Sequence, residues 1–198
     1  MRPRLCLIAA VAIGVTAAGL ASAQTPAPPA PPITGPAVPL PLKPGDAFGE
    51  EVTLPQRTII YVEGEAHWDA AFETLLSAYK ELAAYVEKHG IAPAGPLMTV
   101  YTETDDTGFK FRAAMPVAAA PKEPPPAKVL VGSAPSGKAL KFVHRGSYDA
   151  MDATYEAITN YLDGKQLEAK DVFIEEYESD ILKAPENDLV VNIYVPVK

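Results

Sequence analysis

One order of hydrophobic periodicity runs through this chain twice, and its fold must house both copies. Residues 54–64 (LPQRTIIYVEG) contain a β-branched run that reads as a strand. Phe72, Leu75, Leu76, Tyr79, Leu82, Ala83 and Val86 then recur at helical spacing, predicting a helix with one apolar stripe that ends at His89-Gly90. Residues 96–103 and 108–117 follow as two strands around an Asp-rich turn closed by Gly108. The second pass has a strand with its lead-in at 134–146 and a stripe of Met151, Tyr155, Ile158 and Leu162 ending at Asp163-Gly164. Paired strands at 171–179 and 188–197 complete it. Pro55 and Pro135, Tyr79 and Tyr155, Tyr85 and Tyr161, Tyr101 and Tyr177, and Pro116 and Pro196 all keep offsets of 76 to 80 residues.

The expected fold class is α+β, built from duplicated β-α-β-β units with pseudo-twofold symmetry. One such unit covers one face of a small sheet, whereas two units can bury each other's open strands and helices. An antiparallel sheet with helices on one side follows, with a central groove where the halves meet, a common place for a ligand. The domain is expected at 49–198, with repeat 1 at 49–117, a Pro-rich joint at 118–127 and repeat 2 at 128–198.

The first residues carry a different message. Arg2 and Arg4 precede an uncharged, mostly apolar run at 5–20, and Ala21-Ser22-Ala23 forms a small-residue cleavage site. That is the order of a secretory signal peptide over 1–23, and the run is short of the roughly 20 apolar residues of a bilayer span. Residues 24–48 read as a Pro-rich disordered spacer, since nine of the twenty residues at 25–44 are Pro. Cleavage would remove Cys6, the single Cys, and move the formal net charge from −8 to −10. The expectation is a periplasmic protein with no stable membrane span after leader cleavage.

Acidity argues against a nucleic-acid partner, because phosphate backbones call for clustered Lys and Arg. His67, His89 and His144 lack metal-ligand spacing, and neither a Gly-rich phosphate loop nor a nucleophile elbow is present. No metal and no cofactor are expected.

The second half resembles a known family. Residues 142–162 (FVHRGSYDAMDATYEAITNYL), then IEEY and NDLVVNIYVPV, are similar to the GyrI-like effector-binding domain. That module is fused to AraC-type and multidrug-responsive transcription regulators and also stands alone. The resemblance implies the same duplicated fold, with small amphipathic, often cationic, molecules held between aromatic walls and a carboxylate. It also implies that some relatives hydrolyse reactive electrophiles with a groove glutamate and an aromatic partner. Ser147 stands where the family usually has Pro, and Asn192 where the last strand often carries an acid.

Candidate ligand-binding residues are Trp68, Tyr101, Arg112, Tyr148, Glu176, Tyr177, Asn192 and Tyr194. Strand alternation sets Arg112, Asn192 and Tyr194 opposite the core-facing residues, and the groove is expected on that face. Glu175 and Glu176 fall on opposite faces of one strand, so one of them is expected in solvent. A carboxyl beside apolar walls gains proton affinity, which would make Glu175 or Glu176, with Tyr148, the acid/base group of an enzyme. Phe72 and Tyr155 lie on the helix stripes and read first as core. The leading expectation is a non-enzymatic binding protein for a small amphipathic molecule. The alternatives are a hydrolase of reactive electrophiles and a protein-interaction adaptor with an unknown protein partner.

Overall fold

A computed structural model describes residues 42–123, 125 and 128–198. The expected leader, most of the spacer and part of the joint lie outside the described residues. Among the described residues no helix is long and apolar enough to cross a membrane.

The chain forms β1 (Phe48–Leu54), β2 (Thr58–His67), α1 (Ala71–Lys88), β3 (Met98–Thr104), β4 (Gly108–Pro116), β5 (Leu130–Ser133), β6 (Gly137–Gly146), α2 (Met151–Lys165), β7 (Phe173–Tyr177) and β8 (Leu189–Pro196). A short 3-10 turn leads into each helix, at Trp68–Ala70 and Tyr148–Ala150. All eight strands join one antiparallel sheet in the order β1-β6-β8-β7-β3-β4-β2-β5. Exchanging each strand of one half for its counterpart in the other reverses this order onto itself, so the topology has the expected pseudo-twofold form.

The register locates the axis. In the β3/β7 ladder Met98 faces Glu176, Thr99 faces Glu175 and Val100 faces Ile174. An exchange by 76 residues maps this ladder onto itself and leaves Thr99 and Glu175 as partners of one another. The axis passes through that pair.

Two strands were not expected. The run read as one strand at 54–64 breaks at Pro55, and β1 ends there. Neither β1 nor β5 stays with its own half: β1 pairs with β6, and β5 pairs with β2. Three residues, 55–57, carry the chain from the first to the seventh position of the sheet. In a flat sheet those positions are about 29 Å apart, at about 4.8 Å per strand. The chain from Leu54 to Thr58 spans at most about 14 Å. The sheet therefore curls strongly, and residues 134–136 make the twofold-equivalent crossing from β5 to β6. The two crossings meet where the Ala134 amide donates to the Arg57 carbonyl at 2.9 Å.

Curling gives the sheet two cores. Its inner face holds Leu54, Ile59, Met98, Val100, Ala114, Ala134, Ala139, Ile174 and Tyr194. The three alanines leave room for the crossings. The outer face carries both helices, with Leu75, Tyr79 and Leu82 of α1 and Ile158 and Leu162 of α2 packed into one cluster with Phe109, Phe111, Phe142, Val191 and Ile193. Each fully buried large apolar side chain contributes about 2 kcal/mol before the cost of ordering.

Order begins before the expected end of the spacer at residue 48. Asp46 accepts two hydrogen bonds from Arg145, both at 2.7 Å, and this holds its carboxyl down at about 2. Gly49 sits at φ +80 where β1 bulges, and a Cβ there would lie 2.2 Å from the Tyr161 ring of α2. Helix α2 runs past Gly164 to Lys165, and Gln166 takes the left-handed position at φ 55.

Inside the curl, Arg57 reaches Glu176 at 2.7 Å, and Tyr194 donates to the same carboxylate at 3.3 Å. Arg57 keeps 25% of its side chain exposed and Glu176 only 9%, so losing Arg57 strands a charge that water reaches poorly. Arg57→Ala is expected to cost about 2 kcal/mol of unfolding free energy in urea titration, and Glu176→Gln in the same chain to restore part of it.

Candidate functional site

The pocket forms on the outer face of the sheet, between the two helix starts and over β3 and β7. Its volume is about 960 Å³, inside the usual range for small-molecule clefts of roughly 300–1,000 Å³. Trp68, Phe72, Tyr101, Tyr148, Tyr155 and Phe173 supply its aromatic walls.

Glu175 is the buried carboxylate at the floor of this pocket and is 1% exposed. Its position follows from strand alternation, because Phe173, Glu175 and Tyr177 point to the helix side. Tyr155 of α2 donates to one carboxylate oxygen at 2.7 Å, and Tyr177 donates to the other at 2.6 Å. Burial raises the proton affinity of Glu175 above the ordinary carboxyl value, and the hydroxyls of Tyr177, Tyr155 and Tyr101 partly offset it. Among the described residues no Lys, Arg or His pairs with it.

The on-axis pair is unequal. Across the axis Thr99 shares a hydroxyl hydrogen bond with Tyr79 of α1 at 2.6 Å, at the position where Glu175 accepts from Tyr155. The Tyr177 hydroxyl also lies 3.4 Å from Thr99, so both sides share one buried polar network. Symmetry of the walls thus encloses a floor with one carboxylate.

The rest of the pocket is braced by aromatic contacts. Tyr148 and Tyr101 share a hydroxyl hydrogen bond at 3.2 Å, and Tyr148 lies against Phe72 at 5.2 Å between ring centres. Burial pushes the phenols of Tyr79, Tyr101, Tyr148, Tyr155 and Tyr177 well above the ordinary value, with the Glu175 charge adding to it, so all five stay protonated. Trp68 packs at a tilt against Phe109, 4.7 Å between ring centres, donates its indole N–H to the Asp105 carbonyl at 2.8 Å, and remains 46% exposed at the mouth.

Of the expected site residues, the structure brings together Trp68, Tyr101, Tyr148 and Glu175 as pocket lining, with Tyr177 buried directly behind Glu175. It places four elsewhere. Glu176 and Tyr194 are inside the curl with Arg57. Arg112 pairs with Glu63 at 3.1 Å and lies over the Tyr61 ring. Asn192 donates to Glu178 at 2.5 Å. The expectation set the groove on the face opposite the helix core, but the helices wall the groove and share its face. Glu176 is not in solvent either, because Arg57 covers it. Asn192 stands away from the pocket, so the missing acid at that position leaves the floor charge intact.

Tyr155 and Phe72, read first as core, line the pocket. The signal for Tyr155 was its hydroxyl, since a tyrosine on a buried stripe needs a polar partner there. His144 is buried between Thr154 (2.8 Å) and the Ser147 carbonyl (3.0 Å), and burial lowers its proton affinity. No cluster of metal-ligating side chains occurs among the described residues. A second depression of about 850 Å³ beside the β3–β4 turn shares Tyr101, Thr104, Asp105 and Phe173 with the pocket, and its charges are mixed.

The comparisons with known proteins agree with this geometry. The model of the GyrI-like small molecule binding domain matches residues 50–198. The chain belongs to that family. The structure of an EcmrR–DNA complex is similar, at 15% identity and TM-score 0.65, covering 76% of this chain and 57% of that one. The present chain thus spans little more than half of that relative's length. SAV2435 bound to tetraphenylphosphonium aligns at 16% identity and TM-score 0.58, over 76% of this chain and 94% of that one. A hydrolase encoded by lin2189 from Listeria innocua aligns at 13% identity and TM-score 0.53, over 77% and 93%. No curated protein matches the chain.

Glu175 generates a pH signature. Its folded-state proton affinity lies above the unfolded value of 4.5, so the native state holds the proton longer as pH rises. The contribution to stability is full below the unfolded value and is lost as pH rises through the folded one. Glu175→Gln is expected to unfold at a higher temperature than the parent near neutral pH. The gain should shrink toward pH 4.5, as thermal melts across a pH series would read.

Proposed function

We propose that this GyrI-like domain binds a small amphipathic cation without transforming it. The observation that carries the reading is Glu175, a buried carboxylate facing an aromatic cavity, with no cationic side chain among the described residues beside it. A buried charge in that position is costly unless a partner arrives, and a lipophilic cation supplies one. Ring faces at the walls add about 0.5–2 kcal/mol for each cation–π contact. Tetraphenylphosphonium, the ligand in the SAV2435 structure, has this chemistry.

Trp68 is the single Trp of the chain and lies on the pocket wall, so it reports directly on occupancy. Tetraphenylphosphonium is expected to change its fluorescence saturably. Glu175→Gln should weaken binding at least about tenfold, equivalent to about 1.4 kcal/mol. An unchanged affinity in that variant would remove the reading.

A second reading, hydrolysis of a reactive small electrophile, is favoured by the raised proton affinity of Glu175 and the nearby phenol of Tyr148. The hydrolase from Listeria innocua has a similar fold. The two readings separate when a ligand is incubated with the protein and recovered: binding returns it unchanged, hydrolysis adds water.

We further propose that binding takes place in the periplasm, supported by the leader pattern at 1–23 and the Pro-rich stretch after it. Sequencing the N-terminus of the protein recovered from a periplasmic fraction is expected to begin at Gln24; an intact Met1 in the cytosol would overturn the location.

A further inference from the structure

One carboxylate at the floor answers one positive charge, but the pocket holds far more negative charge than that. Seven further carboxylates line it: Asp69 and Glu73 at the α1 start, Asp105 and Asp106 at the β3–β4 turn, Asp149 and Asp152 at the α2 start, and Glu186. Among the described residues no Lys, Arg or His lines the pocket and none of the seven joins an ion pair. Asp105 is occupied by its own turn, accepting from the Thr107 amide and hydroxyl and the Gly108 amide. The other six are exposed around the mouth. Charges of one sign around a low-dielectric cleft reinforce each other's field within it.

The distribution of these charges follows the pseudo-twofold axis. Each helix is preceded by an aromatic residue and an aspartate in a 3-10 turn, Trp68-Asp69 on one wall and Tyr148-Asp149 on the other. An aromatic face with a carboxylate beside it is therefore presented twice at the mouth, while the floor has Glu175 alone. A compact monocation seated on Glu175 leaves both wall pairs unanswered.

We infer that the ligand class is elongated and doubly cationic: one cationic group meets Glu175, and a second, across an apolar spacer, meets the Asp69 and Asp149 walls between Trp68 and Tyr148. This rests on the binding reading above and specifies it. The spacer lies along Phe72 and Tyr148, and the outer group takes its stabilisation from charge and ring faces that water still reaches. That outer contribution is screened by salt, whereas the one at Glu175 is screened much less.

The test compares decyltrimethylammonium with decamethonium, which share a ten-carbon chain and differ in one or two quaternary ammonium groups. Calorimetric titration of the full chain at low salt is expected to give at least about tenfold tighter binding of decamethonium. High salt should erase most of that advantage, and so should the double variant Asp69→Asn/Asp149→Asn, while the affinity for decyltrimethylammonium moves less than about threefold. Both substitutions are on exposed side chains, so the fold is expected to persist. Equal affinities, or an advantage untouched by the double variant, overturn the inference while the pocket reading stands. Absence of binding by either compound overturns both.

Discussion

The antiparallel pairing of β3 with β7 is the contact on which the rest of this molecule depends. It joins the two halves into one sheet, lays the symmetry axis through Thr99 and Glu175, and brings the tyrosines of both helices over one point. A sheet assembled without that ladder would have two separate half-floors and no enclosed carboxylate. The unequal pair also explains how a symmetric scaffold offers a directional site. Threonine closes its side by hydrogen bonding, and glutamate leaves the other side charged.

The conflict between stability and binding is concentrated in Glu175. Desolvation disfavours its ionised form, and two tyrosine donors soften the penalty without cancelling it. A stabler protein would place a neutral residue there, as its counterpart Thr99 illustrates. Polar strain held at a concave site in this way is a common mark of recognition.

Much of the arrangement was legible in the residues themselves. Periodicity located both helices and six of the eight strands, because long amphipathic patterns survive in any tertiary context. The strands β1 and β5 were not legible: each is an edge strand whose partner lies in the other half, and a local pattern carries no information about that exchange. The same limit misplaced the groove. Alternation correctly divided Glu175 from Glu176 and Ile193 from Asn192, but alternation cannot say which face the helices will cover. Glu176 read as a groove acid, but Arg57 from the crossing pairs with it inside the curl, and Tyr155 read as core although its hydroxyl reaches Glu175 in the pocket.

The exchange of edge strands also bears on how the chain reaches its native state. During synthesis β1 emerges early, yet its partner β6 appears only after more than eighty further residues, with Leu54 opposite Gly137. The amino-terminal half must therefore wait with an unsatisfied strand, protected by the exposed charges of Glu50 and Glu51, which discourage wrong pairing. Such distant contacts slow folding, and the first strand made gains its ladder only once the second half has begun to emerge.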